Sequence, residues 1–126
     1  MIDHVSVAVR DLDRAARFYE AVLATIGIAR LETRMATVGF GKKYSEFWIN
    51  LRREMQAVPA DSGAHVCFRA RTTEMIDAFH EAALKAGGGS DGAPALRPRH
   101  GEGYYAAFIR DLDGNRIEAV TFVSAK

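Results

Sequence analysis

His4 and His65 each precede a valine, and each opens a similar string: HVSVAVRDLDRAARFYEAVLATIG in one case, HVCFRARTTEMIDAFHEAALKAGG in the other. The same offset, with no gap, also pairs Phe18 with Phe79, Glu20 with Glu81, Leu23 with Leu84 and Gly27 with Gly88. Repetition over this length implies two copies of one supersecondary unit. It also sets two imidazoles at matched places. Laying GNRIEA (114–119) over YSEFWI (44–49) then pairs Glu118 with Trp48. Two imidazoles and one carboxylate are a common ligand set for Fe(II), Mn(II), Ni(II) or Zn(II), with positions left open for water and substrate. The symmetric fourth position carries Trp48, which cannot ligate. The chemistry this pattern points to is an open, lopsided site for a divalent metal, held by His4, His65 and Glu118.

Such a site needs elements that aim those side chains the same way. Residues 3–9 alternate, with Val5, Val7 and Val9 on one face and His4, Ser6 and Ala8 on the other, the period of a strand. In 64–70, Val66, Phe68 and Ala70 oppose His65, Cys67 and Arg69; in 46–51, Phe47, Ile49 and Leu51 oppose Glu46, Trp48 and Asn50. In the last strand Ile117 and Ala119 oppose Arg116 and Glu118. Asp11 or Asp13 caps a helix whose apolar stripe runs from Leu12 to Ile26, and Gly27 stops it. Thr72 or Thr73 caps a second helix that reaches about Ala86, where Gly87-Gly88 end it. Three strands are expected within 28–51, and others within 89–97, 103–110 and 115–123, the last two joined by the turn residues of DLDGN (111–115).

Each half thus reads βαβββ. The expected organisation is a single α+β domain over 1–126: a first module to about residue 51, a polar connector over 52–62 and a second module over 63–126. The apolar faces pack on the helices. The mixed faces line a cavity if the sheets curve toward a shared axis.

Composition excludes several function classes. Seventeen basic against 16 acidic residues give a net charge of +1, and the charges are interspersed, so nothing in the chain attracts nucleic acid or an anionic membrane surface. Cys67 is the only cysteine, which rules out an intrachain disulfide framework. No apolar run approaches the ~18–20 residues that span a bilayer. A soluble, cytoplasmic protein is the expectation. Cys67 reads as a small buried hydrophobe because no base beside it is identifiable. The glycine-rich segment 87–92 follows a helix instead of leading from a strand into one, so it reads as a helix stop and flexible loop, not a phosphate cradle. His100, in HGEG (100–103), reads as a solvated loop histidine, with a mobile lid as the other option.

With these residues in place, the chain resembles the vicinal oxygen chelate superfamily, which includes glyoxalase I, extradiol dioxygenases, and fosfomycin and bleomycin resistance proteins. The resemblance rests on the opening His-Val strand, on DLDRAARFY (11–19), on the His65 strand and on YYAAFIRDLDGNRIE (104–118). It implies two βαβββ modules forming a cupped mixed sheet with helices on its outer face, usually within a homodimer. It also implies a divalent metal at His4, His65 and Glu118 that chelates vicinal oxygens of a small-molecule substrate. The chain departs from the pattern twice. Asp111-Leu112 replaces the usual Asp-Pro of the closing turn, and Trp48 stands on the strand where glyoxalase I carries a fourth ligand.

The expected function is glyoxalase-like lyase or isomerase chemistry, with extradiol dioxygenation or thiol transfer as alternatives. Glu46 is the candidate proton carrier, and Trp48, Asn50, Arg69, Arg116 and Tyr104 are the candidate substrate contacts, the arginines for an anionic group. The rival is a metal-free protein that binds a drug or metabolite in the same cleft.

Overall fold

A computed structural model describes residues 1–124. β1 (Val5–Val9) leads into α1 (Leu12–Ala24), which Asp11 caps by accepting the Arg14 amide at 3.1 Å. Of the two candidate caps, only Asp11 stands immediately before the first helical turn, where orphaned amides need an acceptor. Gly27 ends the helix at φ 82°, a left-handed value that favours glycine. β2 (Ala29–Thr33), β3 (Thr37–Gly41) and β4 (Ser45–Leu51) complete the first unit. The second repeats the order: β5 (His65–Arg69), α2 (Thr73–Lys85), β6 (Gly89–Leu96), β7 (Tyr104–Arg110) and β8 (Arg116–Phe122). Thr72 caps α2 through the Met75 amide at 3.1 Å.

Each unit forms a four-stranded mixed sheet, in the orders β1-β4-β3-β2 and β5-β8-β7-β6. β1 runs parallel to β4, and β5 to β8, while the other neighbours are antiparallel. A parallel first strand requires a long crossover, which the helix supplies. The expected α+β architecture of paired βαβββ modules is present.

The helices cover the apolar faces. Val9, Phe40, Phe47 and Ile49 of the first unit join Ala107, Ile109, Ile117 and Ala119 of the second in one buried cluster with both helices. Phe47 meets Phe68 edge-on at 5.2 Å across the two units, and α1 packs against α2. The core is therefore shared, and neither unit closes its apolar face alone.

A polar clasp adds to this. Asp111 Oδ1 accepts the Asp113 and Asn115 amides at 2.9 and 2.8 Å, and its Oδ2 accepts Tyr19 Oη at 2.5 Å and Asn115 Nδ2 at 2.9 Å. Asn115 Nδ2 also donates to the Ala8 carbonyl at 2.9 Å, and Arg10 Nε donates to Asp113 Oδ1 at 2.7 Å. The closing DLDGN segment thus does more than turn the chain. It ties α1 and the end of β1 to the β7–β8 hairpin.

Three local differences from the sequence reading bear on the site. β1 begins at Val5, so His4 stands just ahead of the ladder instead of within it. Gly89–Gly92 lies in β6 and is not a loop; β6 is an edge strand, where two register irregularities and Pro94 are tolerated. The segment before β7 folds into a short 3₁₀ turn, Pro98–His100, and His100, exposed as expected, stacks on Tyr104 at 5.2 Å.

Candidate functional site

Strand register decides which side chains share the face opposite the helices. In the second sheet Cys67 stands opposite Glu118, and Glu118 opposite Phe108; one row away His65 stands opposite Arg116, and on the other side Arg69 opposite Val120. Alternation then sets His65, Cys67, Arg69, Glu118, Phe108, Ala106 and Tyr104 on one face. In the first sheet Ser6 stands opposite Trp48, and Trp48 opposite Gly39. Trp48 therefore occupies in the first unit the register position that Glu118 occupies in the second, as the sequence overlay requires.

The structure brings His65 and Glu118 together: His65 Nε2 lies 3.0 Å from Glu118 Oε1. Glu118 is 3% exposed, while His65 stays open to solvent. The other carboxylate oxygen, Oε2, accepts the Tyr104 hydroxyl at 2.5 Å. Tyr104 sits opposite Phe122 at the far end of β7, so its ring must cross the row of Ala106 and Val120 to reach Glu118. Burial raises the Tyr104 pKa, with the bond to Glu118 next, so its proton remains on the phenol and is donated. Cys67 is exposed, not the buried hydrophobe its sequence suggests, and partial desolvation followed by the neighbouring Glu118 charge pushes its thiol up to about 12.

His4 is not part of this pair. Its Nδ1 is 2.8 Å from Asp3 Oδ1, and the ring is more than half exposed. It does line a cavity of about 500 Å³ whose wall also contains Glu46, His65, Cys67 and Arg69. Among the described residues of one chain, no three His, Cys, Asp or Glu side chains stand where they could hold one metal ion.

The remaining candidates divide. Glu46 is exposed on the wall of that cavity. Arg69 lays its guanidinium over Phe122 at 4.5 Å. Trp48 lines a second cavity of about 430 Å³ together with His4 and Ser6. Asn50 is engaged, its Nδ2 donating to Ser6 Oγ at 2.6 Å and to the Val7 carbonyl at 3.1 Å. Arg116 is turned to Asp91, at 3.2 Å, and to the Ala60 carbonyl.

Three features escaped the sequence reading in whole or in part. Arg34, in the β2–β3 turn, covers the Trp48 ring at 4.7 Å, and only the hairpin fold brings it there. The Tyr104–Glu118 bond was partly legible, since alternation puts both residues on one face; the reach across two rows was not. Gly39 lets Trp48 lie flat on the sheet, since a Cβ there would stand 2.9 Å from Trp48 Cη2 and 2.4 Å from Ser45 Oγ.

Paired βαβββ modules with a histidine–glutamate pair on the open sheet face define a class of small two-module domains. The family model of the Glyoxalase/Bleomycin resistance protein/Dioxygenase superfamily matches residues 1–119, and the chain belongs to that superfamily. It is 30% identical over 123 residues to the virulence protein STM3117 of Salmonella typhimurium, a match covering 97% of this chain and 84% of that protein. Among solved structures, a glyoxalase/bleomycin resistance protein from Albidiferax ferrireducens superposes with a TM-score of 0.81 at 32% identity, over 95% of this chain and 97% of the other. The fosfomycin resistance protein FosX from Mesorhizobium loti shares the fold, with a TM-score of 0.70 at 20% identity over 98% and 92%. Among the described residues, no helix is long and apolar enough to cross a membrane.

Proposed function

We propose that this chain is a metal-dependent enzyme acting on a small molecule, with glyoxalase-like lyase or isomerase chemistry, and that His65 and Glu118 provide two ligands of its divalent ion. The observation that carries this reading is the 3.0 Å approach of His65 Nε2 to a nearly buried carboxylate oxygen. Donors on ~2.1 Å bonds at right angles to one ion stand about 3.0 Å apart, so the spacing of the pair is compatible with a shared ion once each donor turns from the other toward it. An imidazole and a carboxylate suit Zn, Ni, Mn or Fe(II).

The third ligand is His4, and a second copy in a homodimer delivers it. Within one chain His4 does not join the pair, yet β1 and β5 are edge strands and each has one unpaired side. A second copy set against those edges brings its own β1, with His4 at its head, alongside β5. The ion, when bound, supplies Lewis acidity toward vicinal substrate oxygens. The protein side chains do the rest. Glu46 on the cavity wall takes and returns a proton, Trp48 offers an aromatic surface, and Arg69 receives an anionic substituent.

A second reading uses the same contact. Glu118 is already partnered by His65 and Tyr104, as it would be in a metal-free protein that sequesters a drug or metabolite. Metal content of the untagged protein separates the two. The enzyme reading expects close to one equivalent of transition metal per chain. It also expects a melting temperature that falls on chelation, by roughly 10 °C if the ion had been at about 100 times its Kd. His65→Ala should abolish that increment and leave the apo fold intact. Less than about a tenth of an equivalent, with melting unmoved by added Mn(II), Ni(II) or Zn(II), would establish the binding protein instead.

A further inference from the structure

We infer that Tyr104 is a positioning residue for Glu118: by holding Oε2 it leaves Oε1 as the single ligand oxygen beside His65. The inference rests on the metal-site reading above and goes beyond it in assigning what sets the carboxylate's orientation and denticity. Sequence reasoning places Tyr104 among the substrate contacts. In the structure its Oη donates to Glu118 Oε2 at 2.5 Å, on the opposite oxygen from the one 3.0 Å from His65 Nε2.

The ring is itself held. His100 stacks on it at 5.2 Å with an interplanar angle of 30°, and Phe122 meets it edge-on at 5.4 Å and 90°. Its backbone is pinned from the preceding residue. Gly103, at φ 69°, accepts the Val123 amide at 2.8 Å, and a Cβ on it would stand 2.2 Å from the Val123 carbonyl oxygen. Ala106, small and fully buried in the row between, leaves a path for the ring across the sheet. A tyrosine so fixed presents its proton at one point in space, and a carboxylate on the neighbouring strand is oriented by it. Hydrogen-bonded orientation of ligating carboxylates is a general device for tuning metal sites. Freed from Tyr104, Glu118 can rotate and bring both oxygens toward an ion.

The test is a Co(II) titration of the apoprotein, read by visible d–d absorption and by melting temperature. Tyr104→Phe keeps the ring and its packing and removes only the hydroxyl. The expected result is a wild-type protein that binds Co(II), and a variant that melts normally as apoprotein, binds about 10- to 100-fold more weakly and shows a shifted d–d band. His100→Ala, which keeps the hydroxyl but releases the ring, should lie between the two. It also carries the test if Tyr104→Phe does not fold: unchanged affinity and spectrum in His100→Ala then overturn the inference. Affinity within twofold and superimposable spectra for wild type and Tyr104→Phe mean that Tyr104 only packs, and the metal reading survives. A wild-type protein that takes up no Co(II) removes the metal reading, and this inference with it.

Discussion

Tyr19→Phe deletes one oxygen from the clasp between the two units and little else. The phenol is fully buried and donates at 2.5 Å to Asp111 Oδ2, which is itself nearly buried. A hydrogen bond to a charged group is worth ~1.5–3 kcal/mol. Asp111 Oδ2 keeps a second donor, Asn115 Nδ2 at 2.9 Å, so the carboxylate is not orphaned and a loss of about 2 kcal/mol is the central expectation. For a domain of this length that corresponds to a fall in Tm of about 8 °C. The alkaline limb isolates the cause. Burial, followed by the Asp111 charge, raises the Tyr19 pKa well above its ordinary value. The folded state therefore excludes the tyrosinate. The contribution is complete below the unfolded pKa of ~10 and is lost as pH rises from there toward the folded pKa. At pH 11 wild type should have lost about 1.4 kcal/mol through this group alone, while the phenylalanine variant, lacking the phenol, does not. Urea denaturation at pH 7 and pH 11 measures both differences, and the other tyrosines cancel between the proteins. The gap should shrink from about 2 to roughly 0.6 kcal/mol. A gap that stays constant across that range, or one under about 0.5 kcal/mol at pH 7, would refute the reasoning.

Other expectations follow from single contacts. Gly39→Ala drives a methyl into Ser45 and Trp48, so it should cost ~1–3 kcal/mol and shift the emission of Trp48, the only tryptophan, because the ring can no longer lie on the sheet. An unchanged spectrum would contradict that geometry. Cys67, with its pKa at about 12, should carry roughly one thiolate in ten thousand at pH 8. Iodoacetamide should therefore label it far more slowly than free cysteine, and Glu118→Gln should speed the reaction by removing a neighbouring negative charge. Labelling at the rate of free cysteine at pH 8 would count against a raised thiol pKa. Phe79→Ala, at a fully buried helix position, should cost ~3–5 kcal/mol in chemical denaturation. A cost near zero would mean that α2 does not close the core as described.

Much of the fold was legible because it follows from local rules that the chain obeys twice. The period of two in VSVAV and HVCFR, the caps Asp11 and Thr72, and the stop at Gly27 each depend on neighbours a few residues away. The repeat then made each half evidence for the other, and it aligned Glu118 with Trp48 before any register was known. The segment 87–92 shows the limit. Its glycines suggest a loop, but pairing with β7 makes residues 89–92 an edge strand, and only a partner strand settles that.

Residue types and alternation alone determined that His65 and Glu118 share a face, that Trp48 breaks the symmetry, and that the chain folds as paired βαβββ units. Only the tertiary structure decided distances. It set His65 3.0 Å from Glu118, aimed the Tyr104 hydroxyl at that carboxylate, left His4 beside Asp3, and made the DLDGN turn a clasp on Tyr19 and Arg10. The reason is physical. Alternation fixes the direction of a side chain relative to its own strand. How far it reaches, and what it meets, depends on register, twist and packing between segments up to about a hundred residues apart.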